Sequence, residues 1–323
     1  MQALWIALFI IAGICIAGVL AVINRRWNAR IISEEEYDVE IHGKLSKKER
    51  EAFEAKREAE AKLTRMPFGD AVKERPGRFA ASLFLGAVAS VSLAFRYDIS
   101  VSNCILLAFL LDLILIAWID LDTQMIPFPL NVFILCLAVL SVFFLPDISV
   151  SDKLLGAGVI LLFGVFDWLI LDKVEFSEKH WGFMMFLQAL VVFLPPFIYI
   201  LLVKPPAVIT DRLIGMMCVG APLILLNSLM WVWKELEAFG FGDIKLLIAA
   251  GALLGWKMTV IGFFMGAVVG GVISVILLIR KKKGGKDHIP FGPSLCIGLY
   301  LALMFGIQLV DWYTEILKRS MGR

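Results

Sequence analysis

Residues 239–256 read Phe-Gly-Phe-Gly-Asp-Ile-Lys-Leu-Leu-Ile-Ala-Ala-Gly-Ala-Leu-Leu-Gly-Trp, and the rest of the chain is best understood from this stretch. Gly240 and Gly242 predict a tight turn that leads into an apolar helix rich in small residues. Asp243 lies where the turn meets the helix. A carboxylate at the mouth of a membrane helix costs several kcal/mol to desolvate unless it has a partner or a proton. We therefore interpret Asp243 as functional and look for a second carboxylate.

The composition predicts an all-α, polytopic integral membrane protein. Hydrophobic residues make up 60% of the 323 residues, whereas soluble domains are about half apolar. The net charge of +2 is too small to indicate nucleic-acid binding, so we expect membrane lipids and no nucleic acid as partners. The five cysteines include no Cys-x-x-Cys pair, and they predict neither a zinc site nor a disulfide framework.

Three regions follow one another along the chain. Residues 1–23 predict an uncleaved membrane anchor with its N-terminus outside, because Arg25-Arg26 follows the apolar run instead of preceding it. Residues 24–78 predict a cytoplasmic charged segment, in which 46–65 has the opposite-charge i,i+4 pattern of a solvated helix. Residues 79–323 predict a membrane domain, which brings the total to about ten membrane helices. The expected spans are 79–95, 101–119, 130–145, 154–171, 183–203, 211–233, 244–256 (short), 258–279 and 291–310.

The placement of charge orients these spans. Basic residues between Arg25 and Arg78 place the first long loop in the cytoplasm by the positive-inside rule. Counting crossings from there returns the basic cluster 280–283 to the cytoplasm, in independent agreement with the same rule. The same count predicts that Asp120 and Asp243 lie at the cytoplasmic face.

The second carboxylate belongs to the stretch Ile119-Asp120-Leu121-Asp122-Thr123-Gln124-Met125-Ile126-Pro127, at the cytoplasmic end of the 101–119 span. Two aspartates a few ångströms apart share one proton, so that one activates a water while the other donates to a substrate carbonyl. Asp122 is the rival of Asp120 and would face a different side of the helix.

Other catalytic devices have less support in the sequence. His42, His180 and His288 are expected in polar loops, where none can serve as the base of a serine or cysteine nucleophile. The chain also has no Walker A loop, no HExxH motif and no EF-hand. An aspartate pair is the one catalytic device that these residues can assemble.

The stretch Gly240-Phe241-Gly242-Asp243 resembles the GxGD signature of the prepilin peptidases, which are membrane aspartyl proteases of type IV pilus and type II secretion systems. Three further agreements make the resemblance specific. Asp120 precedes Pro127 with the spacing of the family's D-x6-P segment. The chain continues after Asp243 as the family does, through Lys245-Leu246-Leu247 to Gly255-Trp256. Residues 290–293 resemble the C-terminal PFGP loop.

The resemblance implies that Asp120 and Asp243 form the catalytic pair of an aspartyl endopeptidase. The residues expected to support them are Gly240, Gly242, Lys245, Asp122 and Pro127. The substrate or packing loop would be Pro290, Phe291, Gly292 and Pro293. Lys245 could hold Asp243 ionised, bind a substrate carbonyl, or extend to the membrane interface. The substrate would be a prepilin or pseudopilin with a short basic leader and an apolar N-terminal helix, cleaved at the cytoplasmic face of the bacterial inner membrane.

The chain departs from the family pattern at three places. Residues 24–78 contain no cysteine, whereas members that also methylate the new amino terminus usually carry paired CxxC motifs there. We therefore expect no metal, no cofactor and no S-adenosylmethionine-dependent methyl transfer. Phe128 replaces the acidic residue that often follows the loop proline. The long interval between the two aspartates predicts an inserted helix pair near 154–203.

Two other functions use the same residues differently. A proton-coupled secondary transporter would employ Asp112, Asp120, Asp167 and Asp243 as a relay across the membrane. A catalytically inactive pilus or secretion assembly factor would retain only the scaffold. A separate pattern, Gly262, Gly266 and Gly270 at every fourth residue, predicts a helix face that packs closely against a neighbouring helix.

Overall fold

The computed structural model describes residues 2–42, 72–73, 75–97, 100–173, 181–234, 236, 238–279 and 290–320. Within these ranges every regular element is an α-helix, and there are ten, which confirms the predicted all-α class. The predicted helix at 46–65, the basic cluster 280–283, His180 and His288 lie outside the described residues. The helices are α1 (Gln2–His42), α2 (Pro76–Arg96), α3 (Val101–Thr123), α4 (Phe128–Val142), α5 (Val150–Lys173), α6 (Trp181–Val203), α7 (Ala207–Lys234), α8 (Phe241–Leu254), α9 (Trp256–Ile279) and α10 (Gly292–Ser320).

Seven helices in the described part of the chain are long and apolar enough to cross a membrane, so the protein is an integral membrane protein. They are α1, over Leu4–Asn24, together with α2, α3, α6, α7, α9 and α10. Helix α4 has 15 residues and α8 has 14, whereas a crossing needs about 20. The shared cytoplasmic face of Asp120 and Asp243 requires crossings at α4, α5 and α8, so it stays a prediction.

Local sequence determines where several helices begin and end. Pro76 occupies the first turn of α2, where its missing N–H and fixed φ are tolerated. The Ser100 side chain accepts a hydrogen bond from the Asn103 N–H at the start of α3. The C-cap residue of α3 is Gln124, which has the left-handed φ of 56°. The C-cap residue of α8 is Gly255, whose φ of 80° favours glycine and which allows α9 to begin at the next residue.

The chain divides into two compact units, and the first comprises Met1–Met125. In this unit α1 packs against α2 and α3, which also pack against each other. Helix α1 continues beyond the predicted anchor to His42. The prediction that His42 lies in a polar loop was therefore wrong, because the helix extends past the apolar run into a stretch rich in glutamate, a good helix former.

The second unit comprises Ile126–Arg323 and contains α4–α10. Helix α8 lies at its centre: every residue from Ile244 to Leu253 is buried, and α8 contacts α4, α5, α7, α9 and α10. Helix α7, which has Pro222 in its interior, crosses α8 very closely. A Cβ atom built on Gly251 would lie 2.2 Å from the Gly215 carbonyl oxygen. Only glycine permits this approach.

The predicted close-packing face of α9 is confirmed. A Cβ atom on Gly262 would lie 2.8 Å from a Leu299 methyl carbon, and one on Gly266 would lie 3.0 Å from Leu295 Cα. At Gly270 the nearest atoms belong to Phe291 and Ser294, at 3.3 Å. All these neighbours lie at or next to α10, so the glycine repeat seats that helix.

Gly251→Ala is expected to destabilise the protein by about 1–3 kcal/mol, because the added methyl group meets backbone atoms that must shift. Gly158→Ala in α5 is the matched control, since a Cβ atom there meets nothing within 4 Å. The control should melt at the wild-type temperature or slightly above it. Thermal unfolding of both purified variants in the same detergent measures the difference. Equal melting temperatures would contradict the close crossing of α7 and α8.

Candidate active site

Asp243 lies in the first turn of α8, directly after the turn that Gly240 begins. Gly240 is the N-cap residue, with φ −65° and ψ 139°. The N–H groups of Asp243 and Ile244 both donate to the Gly240 carbonyl, at 3.1 and 3.3 Å. A Cβ atom on Gly240 would lie 3.4 Å from Asp243 Oδ2. The Asp243 carboxylate therefore lies beside a residue without a side chain.

Ile126, the residue before the D-x6-P proline, packs against this turn. A Cβ atom on Gly242 would lie 3.1 Å from Ile126 Cβ, so glycine at this position permits the close approach of Ile126. Pro127 is buried and is the N-cap residue of α4. Within the second unit, the fold thus brings Ile126, near the end of the D-x6-P segment, against the turn that lies more than a hundred residues later in the sequence.

Lys245 is buried, with 7% of its surface exposed. Its Nζ atom lies 5.6 Å from the centroid of the Phe128 ring, in a cation–π contact. Phe128, the residue at which the chain departs from the family pattern, therefore gives Lys245 an aromatic face. Burial by protein argues against the alternative in which Lys245 extends to the membrane interface. Its role towards Asp243 or a substrate carbonyl stays a prediction.

Asn227, which was not predicted from the sequence, forms hydrogen bonds with the residues just before the turn. Asn227 lies in α7 and is fully buried. Its Oδ1 atom accepts from the N–H groups of Ala238 and Phe239 at 3.1 and 2.8 Å. Its Nδ2 donates to the Phe239 carbonyl at 2.8 Å. The available signal was an asparagine inside the apolar run of a membrane helix, where a polar side chain needs a partner.

Aromatic contacts hold the same residues from another direction. The Phe239 ring lies 5.8 Å from the Phe291 ring in an edge-to-face arrangement, and 6.0 Å from the Phe263 ring. Phe291 belongs to the predicted PFGP loop, in which Gly292 begins α10 and Pro290 and Pro293 flank the aromatic residue. These contacts support the packing alternative for this loop. A role in substrate binding stays a prediction.

Asp120 lies in the last turn of α3, in the first unit. Its side chain is buried, with 4% of the residue exposed. Its backbone carbonyl accepts a hydrogen bond from the Gln124 N–H at 2.9 Å, which closes the helix. The position at the end of an apolar helix, before a turn, matches the expectation from the sequence. The pairing of Asp120 with Asp243, which belongs to the second unit, stays a prediction.

Asp122 has a different environment from Asp120, as expected for two residues on different sides of a helix. The Arg78 guanidinium donates to both carboxylate oxygens of Asp122, with Nη2 2.6 Å from Oδ1. Arg75 Nη1 donates to Oδ2 at 3.3 Å. The Arg78 guanidinium also lies 5.2 Å from the centroid of the Trp118 ring. Asp122 therefore joins the end of α3 to the beginning of α2.

Two further carboxylates are buried away from helix ends. Asp112 lies in α3, and Asp167 in α5. They are 4% and 1% exposed, and the Oδ2 atom of each has no hydrogen-bond partner among the described residues. Asp112 precedes Asp120 by about 12 Å along the helix axis. These are the residues that a transport relay would require in addition to Asp120 and Asp243.

Comparison with known families decides the identity of the fold. The model of the type IV leader peptidase family matches residues 104–275, which is just over half of the chain and includes both Asp120 and Asp243. The chain belongs to the type IV leader peptidase family. Membership agrees with the resemblance drawn from the GxGD and D-x6-P motifs. The matched region runs from α3 to α9.

The chain is also similar to curated proteins named prepilin leader peptidase/N-methyltransferase. The chain is 38% identical over 106 residues to a prepilin leader peptidase/N-methyltransferase of Aeromonas salmonicida. The aligned residues cover 32% of this chain and 35% of the relative. It is 34% identical over 98 residues to the protein of that name from Stutzerimonas stutzeri. This alignment covers 29% of this chain and 34% of the relative. The chain therefore matches about a third of the length of these relatives. No solved structure matches the chain.

Proposed function

We propose that the protein is a membrane-embedded aspartyl endopeptidase that removes the leader peptide from type IV prepilin-like substrates. The observation that carries this proposal is the family match over 104–275, because the matched region contains both aspartates in their motifs. Relatives named prepilin leader peptidase/N-methyltransferase lend further support. Family membership also favours hydrolysis over the alternative of proton-coupled transport, and intact aspartates in both motifs favour an active enzyme over an inactive assembly factor.

The proposed chemistry uses Asp120 and Asp243 as a pair that shares one proton. The ionised aspartate takes a proton from a water molecule, whose oxygen attacks the scissile carbonyl carbon. The protonated aspartate donates its proton to the carbonyl oxygen, which gives a neutral tetrahedral intermediate. Collapse of the intermediate breaks the C–N bond, and the leaving amine takes up a proton from the pair. Because the two carboxyl groups titrate together, no fixed assignment of acid and base is required.

The proposed substrate is a prepilin or pseudopilin, whose apolar N-terminal helix would bring the scissile bond to the membrane. A short basic leader would then lie at the cytoplasmic face of the bacterial inner membrane. The proposed orientation of the protein in the membrane rests on the basic residues between Arg25 and Arg78 and on the basic cluster 280–283, which the positive-inside rule assigns to the cytoplasm. The seven long apolar helices support a multi-pass location.

The proposed hydrolysis needs no cofactor beyond water. Zinc does not fit the segment in which relatives with a second activity usually carry paired CxxC motifs, because residues 24–78 contain no cysteine. We therefore derive no step through a metal. S-adenosylmethionine would be required only for methyl transfer to the new amino terminus, and we propose that this chain does not perform it.

The function is tested by co-expression with a synthetic prepilin in a host that lacks its own leader peptidase. The substrate carries a basic leader, a glycine at the scissile bond and an apolar helix. We expect a shorter product on a gel when the protein is present in the membrane, and no conversion with an empty vector. Unchanged substrate beside normal amounts of wild-type protein would overturn the proposal.

Mass spectrometry of the same product tests methyl transfer. We expect the mature amino terminus to lack the mass of a methyl group, even when S-adenosylmethionine is abundant. A methylated terminus would contradict this prediction while leaving the peptidase proposal intact. An unmodified control product from a relative that carries paired CxxC motifs would show that the assay had failed to detect methylation.

A further inference from the structure

Residues 238–240 lead directly into the turn that carries Asp243, and we call them the entry loop. The Asn227 amide forms hydrogen bonds with both polar groups of the Phe239 backbone and with the Ala238 N–H. A single side chain therefore makes three hydrogen bonds to two consecutive residues. One residue later, Gly240 begins the turn by accepting from the Asp243 N–H. The position of Asp243 thus depends on the backbone that Asn227 holds.

The three bonds are part-buried: Asn227 is fully buried, whereas Ala238 is exposed and Phe239 is half-buried. The Asn227 side chain is therefore shielded from water, while the loop that it binds is partly open to it. An amide has two donor hydrogens and a carbonyl oxygen with two acceptor sites. The oxygen uses both sites on the entry loop, and one of the amide hydrogens is directed to the same loop. Removing the amide would leave backbone groups of the loop without their protein partner, and hydrogen bonds to water would not fix the loop in place.

A neighbouring residue shows that this arrangement is specific to Asn227. Ser228 is also buried, yet its hydroxyl donates to the Gly182 carbonyl at 2.7 Å, at the start of α6. The two residues are adjacent in α7 but bind different parts of the second unit. Loss of the Ser228 hydroxyl removes a buried hydrogen bond of similar length without touching the entry loop.

We propose that Asn227 is a positioning residue, which sets the location of the Asp243 carboxylate through its three hydrogen bonds to the entry loop. The inference rests on the proposed peptidase function for its catalytic consequence. Displacement of a reacting group by about 1 Å can cost on the order of a hundredfold in rate. Binding of the apolar helix of the substrate does not involve the entry loop in this proposal, so the effect falls on kcat and not on KM.

The test compares three variants of the full-length protein purified in detergent. Asn227→Leu keeps the approximate volume and removes all three hydrogen bonds. Asn227→Asp keeps the two acceptor bonds and loses the donor. Ser228→Ala is the matched control in the same helix. We measure kcat and KM for leader removal from the synthetic prepilin, and hydrogen exchange of the 238–240 amides by mass spectrometry.

Asn227→Leu should lower kcat by about 10- to 100-fold and leave KM within about threefold of wild type. Exchange at 238–240 should become faster. Asn227→Asp should fall between wild type and Asn227→Leu in both measurements, and Ser228→Ala should match wild type in kcat and in exchange.

Two outcomes would overturn the proposal. Faster exchange in Asn227→Leu with unchanged kcat would show that the hydrogen bonds hold the loop without positioning Asp243. Unchanged exchange would show that the bonds do not hold the loop. If wild-type protein cleaves nothing, the proposed peptidase function fails and takes the catalytic role of Asn227 with it. The exchange measurement still reports the hydrogen bonds in that case, so the two failures are distinguishable.

Discussion

Asp243→Asn is expected to lower the rate of leader removal by about 10³-fold or more, the range found when a general acid or base is removed. Asparagine has nearly the same shape as aspartate, so the first turn of α8 should form as before. The amide, however, can neither accept a proton from water nor share one with Asp120. The rate is measured with purified protein and the synthetic prepilin, and the amount of folded protein is measured by size-exclusion chromatography.

Asp311→Asn provides the matched control, since this exposed aspartate of α10 undergoes the same chemical change outside the matched region. It should cleave the substrate at the wild-type rate. Processing by Asp243→Asn at a rate close to that of the control would remove Asp243 from the mechanism and leave the GxGD motif without a catalytic role.

Asp120→Asn should have an effect of similar size, about 10³-fold, because each carboxylate of a proton-sharing pair is needed for a complete catalytic cycle. Asp120 is buried in the last turn of α3, and the isosteric change should preserve the helix end that its backbone carbonyl forms with Gln124. Leader removal and the melting temperature are measured together. A loss of activity with an unchanged melting temperature is the expected result.

Asp122→Asn is the comparison that separates the two candidates on α3. Its carboxylate is engaged by Arg78 and Arg75, with the side chains partly exposed, so the change should cost about 1 kcal/mol of stability. Activity should stay within about tenfold of wild type, a loss well below that expected for a proton-transfer residue. If Asp122→Asn abolished cleavage and Asp120→Asn did not, the pair would have to be reassigned to Asp122 and Asp243.

Much of the fold follows from features that a sequence displays directly. Long apolar runs predicted the helices because a membrane helix satisfies its own backbone groups. The glycine repeat of α9 predicted close packing because residues without side chains permit a close helix approach. The break between the predicted spans 244–256 and 258–279 was expected two residues later than Gly255, where the structure has it. His42 was misplaced because the polar stretch after the anchor remains helical, and hydrophobicity does not record helix propensity.

The candidate site was only partly predictable for a physical reason. The motifs identified Asp120, Asp243 and Pro127, each of which has a local signature. The bonds from Asn227 to the entry loop and the contact between Lys245 and Phe128 depend on how helices pack. A polar residue in an apolar run signals that a partner exists without saying which one.

Helix α7 has a mechanical consequence for the site. Gly215 and Gly220 seat its first half on α8, whereas Asn227 lies in the second half. Pro222 lies between Gly220 and Asn227 and removes a backbone hydrogen bond from the helix interior. The helix can therefore bend at Pro222, which we call the pivot. Asn227 is about 7 Å beyond the pivot along the axis. A change of ten degrees in helix direction would therefore shift the amide by about 1 Å, enough to couple lateral pressure on α7 to the reaction rate.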